Sequence, residues 1–252
     1  MTDQELAARY KEASKHLPNL FELVPLIAHK NEDGKEMAGS GVYLRLGNHH
    51  FIGTAKHCIE NDPRIITAKN FKSSLNMVLN PIHVPFLKKG MHDSLDIGYL
   101  EIQNPEKPEI ERHQLFFDPI PDGKDGEGFV HIVGYPFCER KNNSDGSVTI
   151  VRTAFGTRII KQDEKKLSFE FPKTGVTLAA DKTWVSAPFI PHPGGFSGGG
   201  CFGLANLKKG EIEFVEYKLI GIQFSWNEKN AVNVVPIKRL YELIQRDYGL
   251  PD

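Results

Sequence analysis

Ser197 stands among five glycines in the stretch "GGFSGGG" (194–200). Glycine loses more conformational freedom on folding than any other residue, so chains keep it where a positive φ or a close approach to the backbone is needed. A serine hydroxyl is a weak nucleophile at neutral pH and becomes a strong one only beside a base. Upstream, His57 lies in "FIGTAKHCIEN", directly after an apolar run that would hold it on a rigid edge. Asp96 heads the apolar run "DIGYLEI", where a carboxylate could orient that imidazole. Taken singly, Ser197 is a residue of a structural turn and His57 a hydrogen-bonded core or surface histidine. Taken together, in the order His57, Asp96, Ser197, they are a nucleophile, its base and the group that orients the base.

One assignment fails on chain order. Gly195-Phe196-Ser197-Gly198-Gly199 matches G-x-S-x-G, the turn that carries the nucleophile in α/β-hydrolases, where the histidine follows the serine. All ten histidines here lie at or before His192. The carboxylate has a rival in Asp93, three residues earlier. His49, His50, His92 and His192 are most simply turn or surface residues.

The elements that must position these groups are mostly strands. Short runs rich in Val, Ile, Phe and Tyr, among them "FELVPLIAH", "SGVYLRLG", "HHFIGTA", "LDIGYLEI", "GFVHIVGYP" and "EIEFVEYKLIGIQFSW", alternate with Gly, Asn, Asp or Pro. Such a pattern with almost no internal helix predicts an all-β fold of barrels or a sandwich. The Pro/Gly/Asp-rich segment "PIPDGKDGEG" (119–128) divides the strands into two sets. Residues 3–16 have helical composition ending at Pro18. At the other end, "PIKRLYELIQRDYG" puts Ile237, Leu240, Leu243 and Ile244 on one helical face, with Pro236 near the start and Gly249 past the end. The expected organisation is an N-terminal helical extension (1–18), an N-terminal β-barrel (19–118), a C-terminal β-barrel (119–235) and a packed C-terminal helix (236–252).

Composition narrows the function. The chain has 252 residues, 40% of them hydrophobic, and 31 basic against 32 acidic side chains give a net charge of −1. No run of like charge points to nucleic acid, and no apolar run of 18 residues points to a membrane. The first residues lack the apolar stretch of a secretory signal. Three cysteines, Cys58, Cys138 and Cys201, are few and odd in number, which is the usage of a reducing compartment. No Cys-x-x-Cys pair suggests zinc, and no cofactor or metal is expected. A cytoplasmic location follows from these features, and it leaves the glycosylation triplet at Asn142 without meaning.

Three ordered segments, "GSGVYL…FIGTAKHC", "DIGYLEI" and "GGFSGGG", resemble the signature segments of the chymotrypsin/trypsin-like serine proteases. "HIVGYP" and "LIGIQFSW…VVPI" resemble strands of that family's second barrel, so the likeness spans roughly residues 22–248. The resemblance implies two six-stranded antiparallel β-barrels. It implies that Ser197 attacks a scissile carbonyl, that His57 accepts and returns the proton, and that Asp96 orients the imidazole. It also implies an oxyanion hole formed by the backbone N–H groups of Gly195 and Ser197.

Departures from the family are as informative. Secreted members pair the cysteine after the histidine with one upstream, but no cysteine precedes Cys58, which reads instead as a small buried apolar residue. Members activated by cleavage place an aspartate just before the serine to bind a new N-terminus; Phe196 stands there. Activation is therefore expected to use no such salt bridge: either Phe196 anchors the loop in apolar surroundings or a regulatory protein partner orders it. Trypsin-type members carry an aspartate six residues before the serine, where this chain has Pro191. Pro191, His192, Gln223, Phe224 and Ser225 are the expected pocket residues, with a neutral or apolar preference. The expected activity is that of a metal-independent serine endopeptidase acting on a protein or peptide substrate. The alternatives are a catalytically silent trypsin-like fold used as a protein-binding module, and an esterase for small acyl groups.

Overall fold

The computed structural model describes residues 20, 23–68, 76–78, 81–103, 129–136, 141–142, 148–151, 153–170, 175–178, 184–187, 194–209, 212–227 and 231–249. The expected N-terminal helix and the 119–128 linker lie outside the described residues. Strands dominate, as the short Val/Ile/Phe/Tyr-rich runs predict. The first set is β1 (Leu26–Lys30), β2 (Glu36–Leu46), β3 (His49–Thr54), β4 (Arg64–Ala68), β5 (Asn76–Val78), β6 (Pro81–Val84), β7 (Phe86–His92) and β8 (Ile97–Ile102). The second is β9 (Phe129–Gly134), β10 (Lys141–Asn142), β11 (Val148–Val151), β12 (Thr153–Gln162), β13 (Leu167–Glu170), β14 (Gly175–Leu178), β15 (Trp184–Ala187), β16 (Gly200–Lys209), β17 (Ile212–Asn227) and β18 (Ala231–Pro236). Helix α1 (Ile237–Tyr248) follows.

Seven strands of the first set form a sheet in the order β6-β4-β1-β2-β3-β8-β7. Its two edge strands are consecutive in the chain and separated only by Pro85. Proline has no N–H to donate to a ladder, so one run of chain is broken at Pro85, its first part bonding to β4 and its second to β8. The sheet thereby closes into a six-membered barrel. In the second set, β13-β18-β17-β16-β9-β12 is closed by the additional pairing of β13 with β12, and the β14-β15 hairpin extends from β12. That ring also has six members. A small sheet, β10-β11-β5, joins strands from both halves. All pairings are antiparallel.

Successive side chains on a strand point to opposite faces, and the core divides accordingly. Ile27, Tyr43, Ile52, Ile65, Leu100 and Ile102 fill the first barrel. Val130, Ile132, Phe155, Phe169, Ile220, Val232 and Val234 fill the second. Their chain neighbours Val42, Leu44, Phe51, Val133, Leu219 and Val235 face outward into a third cluster shared by both barrels and the helix. The expected helical face is buried there through Ile237, Leu240, Leu243 and Ile244. Gly249 ends the helix at φ 62°, and its N–H donates to the Gln245 carbonyl. Tyr99 donates its hydroxyl to Asp247 at 2.8 Å, and Tyr248 to Glu101 at 2.6 Å, fixing the last helical turn on β8.

Candidate active site

The chain leaving β3 makes a short 3-10 turn over Lys56–Cys58, and the turn before β8 delivers Asp96. The Lys56 N–H donates to the Asp96 carbonyl at 3.2 Å, which ties the two segments together. The Asp96 carboxylate then holds His57 twice: Oδ1 accepts the backbone N–H at 3.0 Å and Oδ2 meets ring Nδ1 at 2.8 Å. Asp96 has φ 45°, a left-handed backbone uncommon for residues with a Cβ. Burial of the ring pulls the His57 pKa down. The hydrogen bond to Asp96, the neighbouring Cys58 sulfur and the Asp96 charge outweigh that and hold it well above the ordinary histidine value.

Ser197 projects from a turn in which the Gly199 N–H donates to the Phe196 carbonyl at 2.7 Å. Two glycines take φ values open to few other residues: Gly195 at 96° and Gly198 at 88°. Gly198 also lies against the Ser40 carbonyl and Thr54 Oγ1, so closely that a Cβ would collide with both. The turn is tied to both barrels. Ser40 N–H donates to the Ser197 carbonyl at 2.7 Å, and Ser40 Oγ to the Gly195 carbonyl at 2.8 Å. Gly198 N–H donates to the Gln223 carbonyl at 2.7 Å, and Gln223 N–H to the Gly199 carbonyl at 2.9 Å. Phe196 is fully buried in the second barrel, edge-to-face with Phe155 at 5.1 Å.

His57 and Asp96 are thus in direct contact. Ser197 joins them through the residue after His57, whose thiol (Cys58 Sγ) reaches the Ser197 carbonyl at 3.5 Å. Among the described residues, the Ser197 hydroxyl makes no hydrogen bond to His57. Cys58 and Cys201 are buried free thiols. Gly39 faces Cys58, and a Cβ there would lie 2.5 Å from Sγ.

The pocket candidates fare unevenly. Pro191 and His192 lie outside the described residues. Gln223 is buried; its Nε2 donates to the Ser225 carbonyl at 3.2 Å, while Oε1 has no partner among the described residues. Ser225 Oγ accepts from Asn233 Nδ2 at 3.0 Å, and Phe224 packs against the first barrel and the shared core. A bulge between Gln223 and Ser225 turns this segment.

Two neighbours of the site had no sequence signal. His29, an unremarked residue of the first apolar run, is buried with its ring 6.3 Å from His57. Burial, and then the charge of His57, hold its pKa below the ordinary value. Ser40 is the other; only the alternation of "GSG" with apolar residues marks its strand. Among the described residues no three His, Cys, Asp or Glu side chains are grouped to hold a metal ion. No described helix is long and apolar enough to cross a membrane.

Two closed antiparallel barrels followed by a C-terminal helix make the chymotrypsin-like fold, the architecture of a class of serine proteases. The solved structures that share it with this chain include HL collagenase, at 12% identity and a TM-score of 0.58, covering 93% of this chain and 96% of that one. Granzyme C matches at 13% identity and a TM-score of 0.56, covering 92% and 96%. The serine endoprotease from Yersinia pestis matches at 17% identity and a TM-score of 0.53, covering 94% of this chain and 65% of that one. No protein-family model and no curated protein matches the sequence.

Proposed function

We propose that this chain is a serine endopeptidase that cleaves a protein substrate through His57, Asp96 and Ser197. The observation that carries the reading is the twofold hold of Asp96 on His57, at the backbone and at Nδ1. With Nδ1 engaged, Nε2 is the ring nitrogen left to act as base. Ser197 Oγ attacks the scissile carbonyl carbon while its proton passes to Nε2. The imidazolium, stabilised by Asp96, returns that proton to the departing amine, and water then repeats the sequence on the acyl-enzyme. The N–H groups of Gly195 and Ser197 donate to none of the described residues, which leaves them to receive the oxyanion. Each such donor is worth about 3 kcal/mol in the transition state.

The loop needs no N-terminal salt bridge, because Phe196 supplies a buried apolar anchor where a charge pair would otherwise stand. Pro191, His192, Gln223, Phe224 and Ser225 line the primary pocket in this reading, and the two barrels fall on either side of residues 119–128. Free buried thiols at Cys58 and Cys201 fit a reducing cytoplasm.

Covalent labelling by a fluorophosphonate tests the proposal. Wild-type protein should label, and Ser197→Ala and His57→Ala should not. Unlabelled wild-type protein that still folds would leave the fold as a binding module. Labelling with hydrolysis of simple esters but of no protein would make it an esterase.

A further inference from the structure

Inside the turn that presents Ser197 the Gly199 N–H donates to the Phe196 carbonyl and the Phe196 ring is buried, but the Gly195 end has no Cβ to restrict it, so the Gly195–Phe196 peptide needs a further restraint on that side. Among the described residues the Gly195 carbonyl has one partner, the side chain of Ser40 on β2. That hydroxyl is completely shielded from solvent and used in both senses. It donates to the Gly195 carbonyl at 2.8 Å and accepts the Tyr135 N–H at 3.0 Å. The Ser40 main chain is held as firmly: its N–H donates to the Ser197 carbonyl at 2.7 Å, and its carbonyl accepts Thr54 Oγ1 at 2.7 Å. A Cβ at Gly134 would lie 2.8 Å from both Ser40 Oγ and Phe196 Cδ1.

We infer that the Ser40 hydroxyl is a positioning residue that locks the Gly195–Phe196 peptide and so sets the angle between the Gly195 and Ser197 N–H groups. This rests on the peptidase reading and explains how the hole is held once Phe196 replaces a charged anchor. Phe196 fixes the side-chain end of the turn in the second barrel; Ser40 fixes its backbone from the first. Because Tyr135 follows β9 and Ser40 lies on β2, the same hydroxyl also couples the turn to the junction between the barrels. A buried hydroxyl with both capacities filled is costly to remove, since Gly195 O and Tyr135 N–H would each lose a partner where water does not reach.

The test compares wild type with Ser40→Ala and with Ser40→Cys, which keeps a weak donor on a somewhat longer and bulkier side chain. Steady-state hydrolysis of an ester substrate, affinity for a peptide boronate, and amide NMR spectra are measured on each. In Ser40→Ala, kcat and boronate affinity should fall by about 10- to 100-fold with KM changed less than about threefold, since only the charged tetrahedral state uses the hole. Ser40→Cys should fall between, and it carries the test if Ser40→Ala does not fold. The Gly195 and Phe196 amide signals should shift or split, while those of Ile52 and Leu100 stay in place. Full activity in Ser40→Cys and Ser40→Ala, or losses in kcat and KM by the same factor, would overturn the inference. If wild type proves inactive, the peptidase reading fails by itself, and unmoved Gly195 and Phe196 amides in the variants would then overturn the role of Ser40 separately.

Discussion

The Asp96 carboxylate grips His57 at two points, Oδ1 on the backbone N–H and Oδ2 on ring Nδ1, so orientation and charge come from one side chain. The consequence is a pH profile. In the proposed mechanism the imidazole must be neutral to take the Ser197 proton, and its pKa is raised despite burial. The kcat/KM of an ester substrate should therefore climb through an apparent pKa above the usual 6.5 rather than near it. Asp96→Asn should move that limb to lower pH and reduce the plateau by about 10⁴, because the amide stabilises the wrong tautomer. A limb unmoved by Asp96→Asn would refute the assignment. Linkage has the corresponding sign: a raised folded-state pKa gives a stabilising contribution that is complete below the unfolded value and fades as pH rises through the folded one. The melting-temperature gap between wild type and Asp96→Asn should accordingly narrow at alkaline pH.

Phe196 makes a different prediction, about activation. Its ring is sealed in the second barrel against Phe155, so the turn before Ser197 is anchored by packing. Phe196→Ala should cost about 3 to 5 kcal/mol of stability through the cavity left behind. Phe196→Asp should do worse, since it would bury a carboxylate among Phe155 and the other apolar side chains of the second barrel. Extending the N-terminus with a tag, by contrast, should leave the fluorophosphonate labelling rate unaltered. A labelling rate that depends on a free N-terminal amine would show that a charge, and not the ring, orders the turn.

How much of this the sequence disclosed follows from the range of each interaction. The strands and α1 were legible because alternation and the Ile237, Leu240, Leu243, Ile244 spacing are local patterns, and Gly249 marks its own left-handed end. Of the candidate site, the segments that bring His57 and Asp96 together were legible because each fixes local backbone: an apolar strand running into the turn that holds His57, and another starting after Asp96. Barrel closure was legible only as a class. That β6 and β7 are one run broken at Pro85 depends on which strands lie at the edges, and no local pattern states that. Ser40 and His29 escaped for the same reason. The Ser40 hydroxyl meets a carbonyl 155 positions away, and a serine between two glycines looks the same whether or not that carbonyl is there.

The pairing of Gly39 with Cys58 carries the last prediction. A Cβ at position 39 would sit 2.5 Å from Cys58 Sγ and 3.2 Å from its Cβ, too close for a free side chain and a few tenths of an ångström inside the range of a disulfide, so a small shift would allow a bridge. Gly39→Cys should therefore behave in opposite ways in the two redox states. Reduced, the variant should be less stable than wild type, because two thiols compete for space that holds one. Oxidised, it should form a 39–58 bridge, closing a loop whose restriction is worth about 3 kcal/mol. Thiol titration under denaturing conditions should find Cys138 and Cys201 alone reactive in the oxidised variant. Four reactive thiols after oxidation would mean that the two backbones are held apart. A bridge that forms without raising the melting temperature would mean that the strain at residue 39 offsets the gain. The bridge would also take the Sγ proton that now points to the Ser197 carbonyl. The labelling rate of the oxidised variant thus measures how far the thiol contributes to seating Ser197.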